Sequence, residues 1–137
     1  MSLQFSTAVR NALLDAIETA IGVSAVLKIF SGAAPANCAA ADSGTMLASL
    51  ALPADWMAAA SGGSKAMAGS WADASADAGA PTNAGHFRLY ASDGVTCHAQ
   101  GTITATGGGG DMTLDSIVIT AGQAIVITGF TLAAPGA

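Results

Sequence analysis

Residues 86–106, HFRLYASDGVTCHAQGTITAT, read as two strands joined by a tight turn. Phe87, Leu89 and Ala91 alternate with His86, Arg88 and Tyr90 in the first arm. Val95, Cys97, Ala99 and Ile103 alternate with Thr96, His98, Gln100 and Thr102 in the second. Side chains of a strand point to opposite faces with a period of two, so each arm has one apolar and one polar face. A two-residue turn at Asp93-Gly94 would pair Leu89 with His98 and mix those faces. A three-residue loop, Ser92-Asp93-Gly94 with a left-handed glycine, pairs Leu89 with Cys97 and Phe87 with Ala99, and keeps them pure. That register turns Cys97 inward as a small apolar residue.

Further strands flank this hairpin. SAVLKIF (24–30) and TMLASLALP (45–53) precede it, and DMTLDSIVIT (111–120) and QAIVITGFTL (123–132) follow, the last two rich in Val, Ile and Thr. Short strands at such spacing imply a mainly β domain, an antiparallel β-sandwich or jelly roll. Connections are expected at 33–44, 72–85 and 105–111. Residues 54–71 are open to two readings, a helical turn at 54–60 or a short strand at 65–71, separated by Gly62-Gly63. Core positions are expected at Leu13, Ile17, Ile29, Leu50, Phe87, Leu89, Ile103, Ile125, Ile127 and Phe130.

Residues 1–23 hold the one expected helix. Val9, Leu13, Ile17 and Ile21 recur every fourth residue, widened by Leu14 and Ala20, while Arg10, Asn11, Asp15 and Glu18 fall off the stripe. Ser6 suits the N-cap and Gly22 the stop. The stripe is expected to lie on the chain's own sheet, with a neighbouring subunit as the other option. Residues 24–137 then form the β-sandwich of a single domain spanning 1–137.

Composition narrows the function classes. Charged residues are 9% of the chain and the net charge is −5, with only Arg10, Lys28, Lys65 and Arg88 as fixed cations. No basic patch for nucleic-acid phosphates can be assembled from these. No run approaches the ~20 apolar residues of a membrane-spanning helix. The opening residues lack the basic end and unbroken apolar stretch of a signal peptide, so a cytoplasmic origin is expected. Cys38 and Cys97 are then expected as reduced thiols.

Four places in the chain are candidates for chemistry. TGGGGDMTLDS (106–116) leads into a strand-like segment rather than a helix and lacks GK[ST], so it is not a phosphate loop. Against the calcium-binding nonapeptide pattern, Met112 stands where the aspartate must be, so Asp111 and Asp115 read as loop carboxylates, with an ion by another geometry left open. His86, Arg88 and His98 share one hairpin face, but an arginine between two histidines opposes a cation, so a polar outer face is the reading. Asp55 beside Trp56 reads as a helix cap next to a core anchor. No catalytic, metal or cofactor-binding residue is assigned, and no enzyme class is expected.

The segments RNALLDAIETAIG, LKIFSGAAPA, LPADWMAAASGGSKAMAGSW, HFRLYASDG, CHAQG, GGGGDMTLD and GQAIVITGFTL, in that order, resemble a family of small tailed-bacteriophage virion structural proteins. The resemblance implies a head decoration (cement) protein on the capsid surface, made in the host cytoplasm. Its implied partners are the major capsid protein and copies of itself. A tail or head–tail connector component is the alternative. From a different class, Trp56, Trp71 and Tyr90 could stack on sugar rings in a ligand-binding module.

Overall fold

Ser6 adopts extended backbone, and its hydroxyl accepts a hydrogen bond from Val9 N at 3.2 Å, so helix α1 spans Thr7–Ile21. Gly22 ends it at φ +94°, a value that favours glycine. A computed structural model describes residues 2–77 and 82–137 of the chain. Strands take 39% of it and helix 11%, so the chain is mainly β with one N-terminal helix, in a curled, sandwich-like half-barrel.

The strands are β1 (Val26–Ser31), β2 (Met46–Ala51), β3 (Ser64–Ala66), β4 (Ala72–Asp73), β5 (Thr82–Tyr90), β6 (Cys97–Ala105), β7 (Met112–Leu114), β8 (Val118–Ile119) and β9 (Ile125–Ala133). The hydrogen-bonded order is β2-β1-β5-β6-β7-β9-β3, with β4 on β9 and β8 on β5. Every named strand pair is antiparallel except β6 with β7.

Rows of side chains cross this sheet. Leu50, Leu27, Leu89 and Ala99 form one row, and Ala48, Ile29, Phe87 and Gly101 the next. Both lie on the inner face, where Trp56, Trp71, Met112, Ile125, Ile127 and Phe130 complete the core. Each buried aliphatic or aromatic side chain contributes about 1.5–3 kcal/mol relative to exposure. Trp71 packs on Trp56 and Phe130, with ring centroids 6.0 and 5.7 Å apart. Of the expected core positions, Ile29, Leu50, Phe87, Leu89, Ile103, Ile125, Ile127 and Phe130 are buried.

Leu13 and Ile17 are not. The helix is rotated so that only one edge of the expected stripe, Leu14 and Ile21, is buried, while Val9, Leu13 and Ile17 are 44%, 45% and 39% exposed. The cause is Lys65 on β3. Its ammonium is buried and sits 2.6 Å from Asp15 and 2.8 Å from Glu18. A buried ammonium needs counter-ions, and α1 meets that need by presenting its charged face inward. Asn11 adds an acceptor for Gly63 N at 2.8 Å, and both Arg10 Nε and an Arg10 terminal nitrogen donate to Ala134 O.

Four other expectations are corrected by the structure. First, the hairpin register slips by two residues: Leu89 pairs with Ala99, Phe87 with Gly101, and a bulge places Tyr90 opposite Cys97. The turn is longer than three residues, because the Asp93 carboxylate accepts from Val95 N, Thr96 N and Thr96 Oγ1 and closes its own loop. Val95 ends up 78% exposed rather than inward. Second, of the two open readings of 54–71, no helix forms at 54–60 and a short strand forms at Ser64–Ala66; Met57 bridges Met67, and Ser61 pairs with Ser64 around Gly62-Gly63, both at positive φ, as a type I′ turn requires. Third, the expected strand 111–120 is broken into β7 and β8. Fourth, the expected loop 72–85 contains β4 and the start of β5, while 78–81 lie outside the described residues.

Candidate interaction surface and buried polar clusters

The GGGG run answers to a topological demand. β7 lies parallel to β6, with Met112 beside Ile103. The chain therefore doubles back along β6 within residues 106–111, where a parallel connection ordinarily needs a dozen or more. Gly107 and Gly109 turn at φ +86° and +80°. A Cβ on Gly108 or Gly110 would meet Thr104 side-chain atoms at 2.7 or 2.9 Å. Gly110 N donates to Thr104 Oγ1 at 3.0 Å, and the Asp111 carboxylate accepts from Thr102 N and Oγ1, both at 2.9 Å. Asp115 instead accepts from Ser116 N and Val126 N. The two aspartates thus serve different elements. Among the described residues, no group of three or more His, Cys, Asp or Glu is placed to hold a metal ion.

The other hairpin face is polar as expected but is not an outer face. Segment 32–44 crosses it and buries His86, Arg88 and Tyr90, all at or below 2% exposure. Arg88 pairs with Gln100 across the sheet, and His98 is exposed, so the expected His86–Arg88–His98 grouping does not form. Arg88 donates to the Asp42 carboxylate and to the carbonyls of Cys38 and Ala40 at 2.9 and 3.0 Å. Tyr90 donates its hydroxyl to the same Asp42 oxygen. His86 stacks on Phe30 at 5.2 Å and donates from Nδ1 to Gly32 O at 2.8 Å. Gln100 donates to Pro35 O at 2.6 Å.

These contacts set the ionisation of the cluster. Burial pushes the Asp42 carboxyl up, and hydrogen bonds from Tyr90 and Arg88 outweigh it, leaving it below the usual carboxylate range. Burial, followed by the Asp42 hydrogen bond, drives the Tyr90 phenol well above its ordinary value. Cys97 does not enter the core: it is half-buried, with its Sγ 2.7 Å from Cys38 Sγ, and both are free cysteines. Burial and then the Cys38 contact raise its thiol to about 11.

An open recess of about 710 Å³ lies between α1 and residues 54–59, edged by Asp15, Glu18, Asp55 and Lys65. Burial pushes Lys65 down, but its hydrogen bonds to Asp15 and Glu18 prevail and hold it charged. Its three hydrogen-bonding directions go to Asp15, Glu18 and Ala58 O, so none is left for a ligand. Asp55 is exposed and caps no helix, whereas Trp56 is the expected core anchor, its indole N–H donating to Gly22 O at 2.9 Å. Trp56, Trp71 and Tyr90 are all buried, so none presents a ring face for a sugar.

Among the described residues, the far side of α1 is one apolar surface that faces solvent. Phe5, Val9, Leu13 and Ile17 form one exposed row, and Ala8, Ala12, Ala16 and Ala20 another. Periodicity located these apolar side chains, but not the direction they face, which Lys65 decides from 50 residues away. Among the described residues, no helix is long and apolar enough to cross a membrane. Compared with known proteins, the chain matches no family model, no curated protein and no solved structure.

Proposed function

We propose that this protein is a non-enzymatic structural component of a tailed-bacteriophage particle, a decoration (cement) protein that binds the major capsid protein on the head surface. The observation that carries the reading is the outward apolar face of α1, held outward by the Lys65 clamp, which marks a subunit that assembles with copies of itself as well as with the shell. Contiguous exposed apolar surface of this kind marks protein–protein contact. All four fixed cations, Arg10, Lys28, Lys65 and Arg88, are engaged in internal ties, which leaves a low-charge surface suited to close packing. The sequence resemblance supplies the particle, and the sandwich-like scaffold suits a protein used in many copies.

Gold-labelled antibody on purified source particles, viewed by electron microscopy, tests it. Gold spread over the heads is the expected result. Gold confined to tail or neck replaces it with the tail or connector reading. No label, with the epitope accessible on free protein, overturns the exposed structural role.

A further inference from the structure

Around α1, the residues divide into two arcs. Arg10, Asn11, Leu14, Asp15, Glu18 and Ile21 face β3 and its neighbours. Val9, Ala12, Leu13, Ala16, Ile17, Thr19 and Ala20 occupy an opposing arc of about 160°, at 100° per residue, that holds no charge. Its one polar side chain, Thr19, already donates to Asp15 O at 3.0 Å.

We propose that this face is the two-fold contact between two copies of the chain. The inference rests on reading the face as an interface, but not on any location in a particle. Three observations select a second copy. The arc offers neither charge nor a free hydrogen-bonding group, so it cannot select a partner by electrostatic complementarity. It is also self-complementary: the ridge Val9-Leu13-Ile17 runs beside the alanine row 8-12-16-20, and a two-fold axis sets each ridge into the other copy's alanine groove. Ridges spaced at i±4 pack into such grooves at about −50°. Finally, the exposed apolar surface is on the order of 500 Å² per copy, so pairing buries at most roughly 1,000 Å², the lower limit for a specific interface. A contact of this size points to a weak, reversible dimer.

Sedimentation of the purified full chain from about 1 to 100 μM tests the proposal. The expected result is a monomer–dimer equilibrium. Leu13→Glu should weaken it at least ~100-fold while leaving the melting temperature of the monomer unchanged, because Leu13 is already 45% exposed. Ala16→Leu discriminates further. Filling the groove weakens a ridge-in-groove dimer, whereas nonspecific apolar association strengthens. A monomer at 100 μM, a dimer indifferent to Leu13→Glu, a larger oligomer, or a dimer strengthened by Ala16→Leu each overturns the proposal. If the wild type is monomeric and Leu13→Glu abolishes gold on heads, the face belongs to the shell protein instead. Dimers in solution with no gold on particles would keep this inference and remove the particle role.

Discussion

Asp42 holds one oxygen against two donors, the Arg88 guanidinium and the Tyr90 hydroxyl. Its folded pKa lies below the unfolded value, so its contribution to stability is fully present above about pH 4 and is lost as pH falls through the folded value. Asp42→Ala leaves the Arg88 charge buried with only carbonyl acceptors. A fully buried pair broken this way costs about 3–5 kcal/mol; Asp42 is 43% exposed, so about 2 kcal/mol is expected. Urea unfolding at pH 7 and pH 3 checks this: the gap between wild type and variant should narrow at pH 3, and an unchanged gap would disprove the assignment. The neighbouring thiols give a second test. Diamide should take two hydrogens from Cys38 and Cys97 and join them within one chain, closing segment 33–44 onto β6 across 59 residues. The bridged protein should gain about 2–4 kcal/mol in urea unfolding, reversed by reductant. Disulfide-linked dimers on a non-reducing gel would contradict the placement.

At the scale of elements, local chemistry and long-range chemistry separate cleanly. The caps of α1, Ser6 and Gly22, were legible because a cap acts within one turn. The hairpin was legible as alternation, but its register depended on Asp93 bonding its own loop, which slips the pairing by two residues. The orientation of α1 was not legible, since a lysine on β3 sets it. Nor was the reason for four glycines, because no local pattern announces that β7 will lie parallel to β6. That reason is open to experiment. Gly110→Ala would set a Cβ 2.9 Å from Thr104 and 3.0 Å from its backbone nitrogen. An overpacked site costs about 1–3 kcal/mol. The urea midpoint should fall with an unchanged slope. A wild-type midpoint would mean that the return path along β6 is not held as described.

At the scale of the molecule, two polar clusters fasten separate pieces to one sheet. Lys65 with Asp15 and Glu18 fastens the helix; Arg88 and Tyr90 with Asp42 fasten segment 32–44. The mainly β class could be read from runs of Val, Ile and Thr, whereas the partners in these clusters stand 46–50 residues apart and no spacing rule joins them. Both clusters respond to alkali with the same sign. Lys65 is pushed down by burial but raised overall by its two carboxylates, and Tyr90 is raised by burial and by Asp42. A folded pKa above the unfolded one gives stability that is complete below the unfolded value and lost as pH climbs through the folded value. Cys97, raised to about 11, acts in the same direction. Stability should therefore begin to decline near pH 9, where a cysteine ordinarily ionises, and fall further above about pH 10, the ordinary range of tyrosine and lysine. Tyr90 is the only tyrosine in the chain, so absorbance at 295 nm reports its phenolate alone. Its ionisation should coincide with the fluorescence change of the buried Trp56 and Trp71, in one transition. Tyr90→Phe should lower stability at neutral pH and make its decline above about pH 10 shallower without abolishing it, because Lys65 still loses its charge. Phenolate formation near pH 10 with native tryptophan fluorescence would show that segment 32–44 opens independently of the sheet, and that the two clusters do not act as one cooperative unit.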